Sequence, residues 1–265
     1  VSANEQDSLT FMAAERLYMA GDKNASLQLE KYLQQFPNGS FTINSHFYLA
    51  ESLYAAGKYT ESNKHYTFVA EQPDNVFTEQ SLSRSSELTY NSQNYAEALE
   101  MFNRLEKIAN EKWNVLRANV GQMRCFLILG NYEDAITAAG KIKKSSVANE
   151  AMIREANFTE GKSYYQLNNY EKAMTGLKSV AADVKYEQGA ESKYLLAEIY
   201  YRQKNLQKSE DEIIDFISKN TPYQYWLGKS FLLLADIYLG KNDQFQAKHT
   251  LKSLYENYND DDDGI

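Results

Sequence analysis

Seven short polar turns recur along the chain at nearly constant spacing, and that spacing limits the fold more than any other feature. Ala56-Gly57-Lys58-Tyr59, Ser92-Gln93-Asn94-Tyr95, Leu129-Gly130-Asn131-Tyr132, Asn168-Asn169-Tyr170 and Lys204-Asn205-Leu206 show it most clearly. Anchoring on the last residue of each turn gives Lys23, Tyr59, Tyr95, Tyr132, Tyr170, Leu206 and Gln244, separated by 36, 36, 37, 38, 36 and 38 residues. Three residues after the anchors stand Ser26, Ser62, Ala98, Ala135, Ala173, Ser209 and Ala247, all Ala or Ser. Ten after them stand Leu33, Val69, Leu105, Ile142, Val180, Phe216 and Leu254, all apolar. Nine before them stand Ala14, Ala50, Ser86, Met123, Gly161, Ala197 and Ala235, small in all but Met123.

A small residue close to the start of a helix lets an antiparallel neighbour approach, and an apolar residue seven later lies two turns on along the same stripe. A turn of a few residues joins helices that must then lie side by side, so each period reads as an αα-hairpin. Pro37 and Pro73 fall after second helices, and Thr221-Pro222 reads as an N-cap followed by a first helical residue.

Composition agrees with a helical chain. Its 265 residues are 43% hydrophobic, with only 3 Pro and 12 Gly, too few for a sandwich or barrel that turns every ten residues. A formal charge of −8 argues against nucleic acid, which requires a basic face. No apolar run is long enough to span a bilayer. The single Cys125 excludes an internal disulfide and, among Met123, Phe126 and Leu127, reads as an inert buried thiol.

The pattern of a small residue in a first helix, Gly-x-Tyr at the turn, Ala three later and an apolar residue seven beyond resembles the tetratricopeptide repeat family. Residues 47–59 and 194–206 carry it best. The resemblance covers about residues 8–258 and implies an all-α, right-handed α-α superhelix, a solenoid of about seven helix pairs. Residues 1–7 are then expected to be a flexible N-terminal segment, 8–258 a single solenoid domain and 259–265 an acidic tail. The segment Tyr32-Leu-Gln-Gln-Phe36-Pro37-Asn-Gly-Ser-Phe41 is similar to inter-repeat segments of extracytoplasmic members in Gram-negative bacteria. Tyr223-Gln-Tyr-Trp226 and the residues after it look like the last repeats of large members from Bacteroidetes. Those likenesses imply a periplasmic or envelope-associated protein and a piece of a longer solenoid, with a weak dimer through exposed solenoid ends as one consequence.

Such a fold implies a non-enzymatic scaffold that grips a protein or peptide in a groove lined by first helices. Eight before each anchor come Glu15, Glu51, Glu87, Arg124, Lys162, Glu198 and Asp236; five before come Tyr18, Tyr54, Tyr90, Leu127, Tyr165, Tyr201 and Leu239. Twelve before the anchors a third row, largely aromatic, begins at Phe11 and Phe47. The partner-binding candidates are Glu51, Tyr54, Glu87, Tyr90, Arg124, Lys162, Glu198 and Tyr201, a surface suited to a segment with apolar side chains and some Lys or Arg. The plainer reading makes the tyrosines interhelix packing and the charges solvated. The family's Lys/Asn clamp for a C-terminal carboxylate has no support where Glu fills this row. With 21 Tyr, Trp113 and Trp226, glycan binding on exposed rings is the alternative.

No catalytic, cofactor or metal site is expected. His46, His65 and His249 lie far apart in sequence, read as members of different repeats and form no His-Glu-x-x-His pair. No glycine-rich phosphate loop occurs. Asn259-x-Asp261-x-Asp263-Gly264 imitates half a calcium loop without the closing Glu.

Overall fold

The structure is a computed structural model and describes residues 2–259 and 264–265. The described residues form helices joined by short turns, and they divide into two compact units, 1–129 and 130–265. Unit 1 holds α1 (Ala3–Met19), α2 (Ala25–Gln35), α3 (Thr42–Ala55), α4 (Tyr59–Glu71), α5 (Thr78–Asn91), α6 (Tyr95–Ile108) and α7 (Lys112–Leu129). Unit 2 holds α8 (Tyr132–Lys144), α9 (Glu150–Gln166), α10 (Tyr170–Val180), α11 (Glu187–Arg202), α12 (Leu206–Ser218), α13 (Gln224–Gly240) and α14 (Gln244–Asn257). Within each unit consecutive helices pack together. First helices also meet one another, α1 with α3 and α5 with α7 in unit 1, α9 with α11 and α11 with α13 in unit 2. This is the helix-pair stacking of a tetratricopeptide solenoid. Among the described residues no helix is long and apolar enough to cross a membrane.

The turn spacing has a backbone cause. The residue two before every anchor has positive φ: Gly21, Gly57, Gln93, Gly130, Asn168, Lys204 and Asn242, between 59° and 78°. Around them the chain closes paired bonds across the helix end, as where Gly57 N donates to Tyr54 O at 3.0 Å and Lys58 N to Leu53 O at 2.9 Å. This left-handed C-terminal cap satisfies carbonyls the helix leaves open and fixes the direction of the next helix. Six of the seven anchors are the first residue of a second helix.

The small-residue columns are contact points. Ser62, Ala98, Ala135, Ala173, Ser209 and Ala247 are all buried, as are Ala14, Ala50, Ser86, Met123, Ala197 and Ala235. The two columns touch: Ser62 Oγ donates to Ala50 O at 2.8 Å and Ser209 Oγ to Ala197 O at 2.7 Å. In the α9–α10 hairpin the approach is tighter. A Cβ at Gly161 would sit 2.9 Å from the Leu177 backbone nitrogen, and one at Gly176 would sit 2.8 Å from Asn157 O.

Several sequence expectations need correction. In the first repeat the register slips by one: Ala25, Leu29 and Tyr32 are buried, while Ser26 and Leu33 are only half-buried. Asp22 accepts from Asn24 N at 2.7 Å, and this local turn holds residues 22–24 out of the helix until Ala25. The first helix begins at Ala3, inside the segment expected to be flexible, because Ser2 and Glu5 form a reciprocal capping box. Asp7 is buried and accepts from Tyr32 Oη at 2.6 Å and Ser40 N at 2.8 Å, tying α1 to the Pro37 segment. Thr221 is not the cap of α13, which starts at Gln224; its hydroxyl donates to Val184 O at 2.9 Å. Asp261 and Asp263 of the calcium-like stretch lie outside the described residues.

Candidate functional site

In unit 1 the candidate row is largely engaged by its own neighbours. Glu51 on α3 accepts from the Tyr66 hydroxyl of α4 and from Gln80 Nε2 of α5 at 3.1 Å. Burial together with Glu51 pushes the Tyr66 hydroxyl well above its ordinary pKa, so it stays a donor. Glu87 on α5 pairs with Arg117 Nε of α7 at 2.9 Å. Tyr54 meets Tyr59 edge-on across the turn at 5.2 Å between centroids, with the Arg84 guanidinium 4.5 Å from its ring. Tyr90 meets Tyr95 in the same way at 5.3 Å. Arg124 stands exposed on α7. The tyrosine row therefore contributes to the turns, each aromatic pair being worth about 0.5–1.5 kcal/mol beyond its burial.

Unit 2 repeats the scheme up to a point. Lys162 on α9 pairs with Glu191 of α11 at 2.6 Å. Gln80, Arg117 and Glu191 all stand fifteen residues before an anchor, so each braces the charged row of the preceding repeat. Lys229 of α13 holds the same position, but its ammonium lies over rings: 4.7 Å from the centroid of Tyr194, 5.6 Å from Trp226 and 5.7 Å from Tyr225. Among the described residues it forms no ion pair. The group it would brace, Glu198, is taken by Arg202 at 2.7 Å and by the hydroxyls of Tyr165 and Tyr194, whose pKa values burial and then Glu198 raise.

The result is an open cleft of about 290 Å³ between α11 and α13. Tyr194, Glu198, Tyr201 and Arg202 form one wall, and Lys229, Leu232, Leu233 and Asp236 the other. Of the eight candidates, Glu198 and Tyr201 share this cleft. Lys162 stands one helix away, and Glu51, Tyr54, Glu87, Tyr90 and Arg124 belong to unit 1. Sequence reasoning placed Tyr194, Leu232 and Asp236 in rows facing or flanking the groove but missed Arg202, Lys229 and Leu233 as cleft residues. Lys229, Leu232 and Asp236 follow an i, i+3, i+7 pattern that puts them on one helix face, a signal available in the sequence but masked by sampling one row at a time.

The structure also corrects the reading of the histidines. His46 and His65 belong to one hairpin, α3–α4, and their Nδ1 atoms lie 2.7 Å apart. Cys125 is buried as expected, and burial pushes its thiol up to about 11. Among the described residues no three His, Cys, Asp or Glu side chains gather as a metal cluster.

A model of the tetratricopeptide repeat family matches residues 158–218, which run from α9 through α12. No curated protein sequence matches the chain. Among solved structures, a tetratricopeptide repeat protein from Parabacteroides merdae is similar over 96% of this chain and 94% of its own, at 16% identity and a TM-score of 0.51. A signal transduction ATPase with a tetratricopeptide repeat sensor, from Pyrococcus horikoshii, aligns over 94% of this chain and 40% of its own, at 18% identity and a TM-score of 0.63. YrrB, described as a tetratricopeptide protein with an unusual peptide-binding site, aligns over 72% of this chain and 91% of its own, at 12% identity and 0.52. The chain thus has the tetratricopeptide repeat fold, and its residues 158–218 carry that family's sequence pattern.

Proposed function

We propose that this chain is a non-enzymatic interaction scaffold and that the α11–α13 cleft of unit 2 receives a segment of a protein partner. The observation that carries the reading is Lys229. Its counterparts Gln80, Arg117 and Glu191 brace neighbouring helices, whereas Lys229 presents an ammonium held by aromatic faces in an open cleft. A charge held over ring faces, near enough to act on Glu191 but not in an ion pair with it, is ready to take an acidic group from outside. Leu232 and Leu233 offer apolar surface beside it, and Tyr201 faces them from the α11 wall. The best-fitting segment therefore carries apolar side chains and a carboxylate. Basic residues fit less well than the charge row alone suggests, because Glu51, Glu87 and Glu198 are already engaged. Glycan stacking is disfavoured at this cleft, where Lys229 lies over the buried Tyr194 and the half-buried Trp226, and the exposed Tyr225 stands outside the lining.

The fold analogy supports a scaffold only at the level of architecture. The setting we propose is a bacterial envelope, on the likeness of the Tyr32–Phe41 segment to extracytoplasmic repeat proteins; fractionation of cells expressing the natural gene tests it. The cleft is tested with a library of acidic and basic apolar peptides, read by anisotropy and by Trp226 fluorescence. Selective capture of acidic peptides that Lys229→Glu abolishes and Tyr54→Ala leaves intact is expected. Equal capture by Lys229→Glu overturns the site.

A further inference from the structure

We propose that His46 and His65 form a two-imidazole binding site for a divalent transition-metal ion of the zinc, nickel or cobalt kind. The two imidazoles come from facing helices of one hairpin, α3 and α4, and their Nδ1 atoms stand 2.7 Å apart. His46 is held flat against Phe68, ring centroids 3.8 Å apart, so its direction is set by packing. The pair opens on a cleft of about 340 Å³ whose other walls are Glu30, Leu33, Gln34, Pro37 and Leu49.

A hydrogen-bonded imidazole pair uses one nitrogen lone pair and one N–H, and leaves the remaining nitrogens without assigned work. Replacing the shared proton by a metal needs each nitrogen about 2.0–2.1 Å from the ion. At a tetrahedral angle that corresponds to nitrogens roughly 3.3 Å apart, so the rings must part by roughly half an ångström. Both rings are half-buried beside an open cleft, and the movement is toward free space. Binding requires neutral imidazole.

Ligand chemistry selects the class of ion. Imidazole nitrogen suits zinc, nickel, cobalt and copper, whereas magnesium and calcium require oxygen cages that this cleft does not offer. With two nitrogens from the protein, water is left to complete the coordination. Glu30 supplies negative charge in a cleft otherwise walled by Leu33, Pro37 and Leu49, where charges attract more strongly than in water.

The test is titration calorimetry of the chelator-treated full chain with zinc chloride and with nickel chloride, in excess calcium to occupy acidic surface sites. One equivalent is expected to bind, with binding lost in His65→Gln and His46→Gln and retained in His249→Gln. Glu30→Gln should weaken it about tenfold. Circular dichroism confirms that each variant is folded. Should His46→Gln unfold, His65→Gln together with the cobalt absorption spectrum of the unaltered chain decides. Absence of saturable binding, displacement by calcium, or undiminished binding in His65→Gln overturns the site.

Discussion

Helices α5 and α11 occupy the same place in their repeats, yet the balance of their buried faces differs. α5 buries six hydroxyl residues, Thr78, Ser81, Ser83, Ser85, Ser86 and Thr89, beside Leu82 and Leu88, whereas α11 buries Ala190, Tyr194, Leu195, Leu196, Ala197 and Ile199 beside Glu191, Ser192 and Lys193. Position by position, Ser85 of α5 corresponds to Leu196 of α11, each ten residues before its anchor. Ser85 donates to Asn63 Oδ1 at 2.8 Å and lies 2.9 Å from Thr67 Oγ1, and Asn63 in turn donates to Thr89 Oγ1 at 3.1 Å. Leu196 instead joins a cluster with Phe158, Leu177, Ile213 and Ile237. The same hairpin geometry is therefore reached by matched hydroxyls in one unit and by apolar burial in the other. Turn geometry and small contact residues set the architecture, and the filling between them varies in polarity, with Ser81 Oγ of α5 buried without a hydrogen-bond partner beside the matched Ser85.

The comparison is sharpest where filling is removed. Leu196→Ala should lower stability by about 2–5 kcal/mol, the cost of a cavity plus lost burial. Denaturant unfolding gives the total, and hydrogen exchange should place the loss in α9–α13. Ser85→Ala should cost less, about 1–3 kcal/mol, from buried partners left unmatched. An equal or larger loss for Ser85→Ala would mean that the hydroxyl network and not the apolar cluster is the stiffer filling.

Acid is the next lever, and it acts on unit 1. In the folded chain burial, then His65, depresses His46 to about 4 from an ordinary 6.5; burial, then Lys64, lowers His65, with Glu61 opposing. The unfolded chain therefore takes up protons first, and the stability these two rings confer is present above about 6.5 and is lost as pH falls toward 4. In chelator-containing buffer, exchange protection of α3 and α4 should drop over that window. Unit 2, whose His249 is exposed, should keep its protection there. Parallel loss in both units would break the distinction.

Sequence alone revealed what is fixed by local rules. The anchors were legible because a left-handed residue, a helix start and a small contact residue recur at set offsets, and six of seven coincide with helix starts. The first repeat slipped because an aspartate turn at Asp22 adds local structure that the column alignment ignores. The charged row was located but its use was not. Glu51 and Gln80 are 29 residues apart, and nothing in either neighbourhood announces that they meet across a repeat boundary. His46 and His65, 19 residues apart, meet only because hairpin geometry brings those faces together. The family pattern at 158–218 includes α11 and not α5, consistent with serine-rich filling obscuring the repeat where the geometry is unchanged.

The smallest predicted effect tests whether the difference between the regions stops at the helix faces. Gln93 follows α5 and Lys204 follows α11, and both sit at positive φ, 63° and 60°, where the other turns place Gly or Asn. A side chain in this conformation crowds the following carbonyl, at roughly 1–2 kcal/mol, while glycine loses part of that advantage through its freer unfolded chain. Gln93→Gly and Lys204→Gly should each raise stability by about 0.5–1 kcal/mol, read as a shift in denaturation midpoint at constant slope. If inner-face chemistry and turn geometry are independent, the two gains will match. A gain at Lys204 without one at Gln93 would show that the hydroxyl network of α5 holds its turn in a strained geometry that glycine cannot relieve.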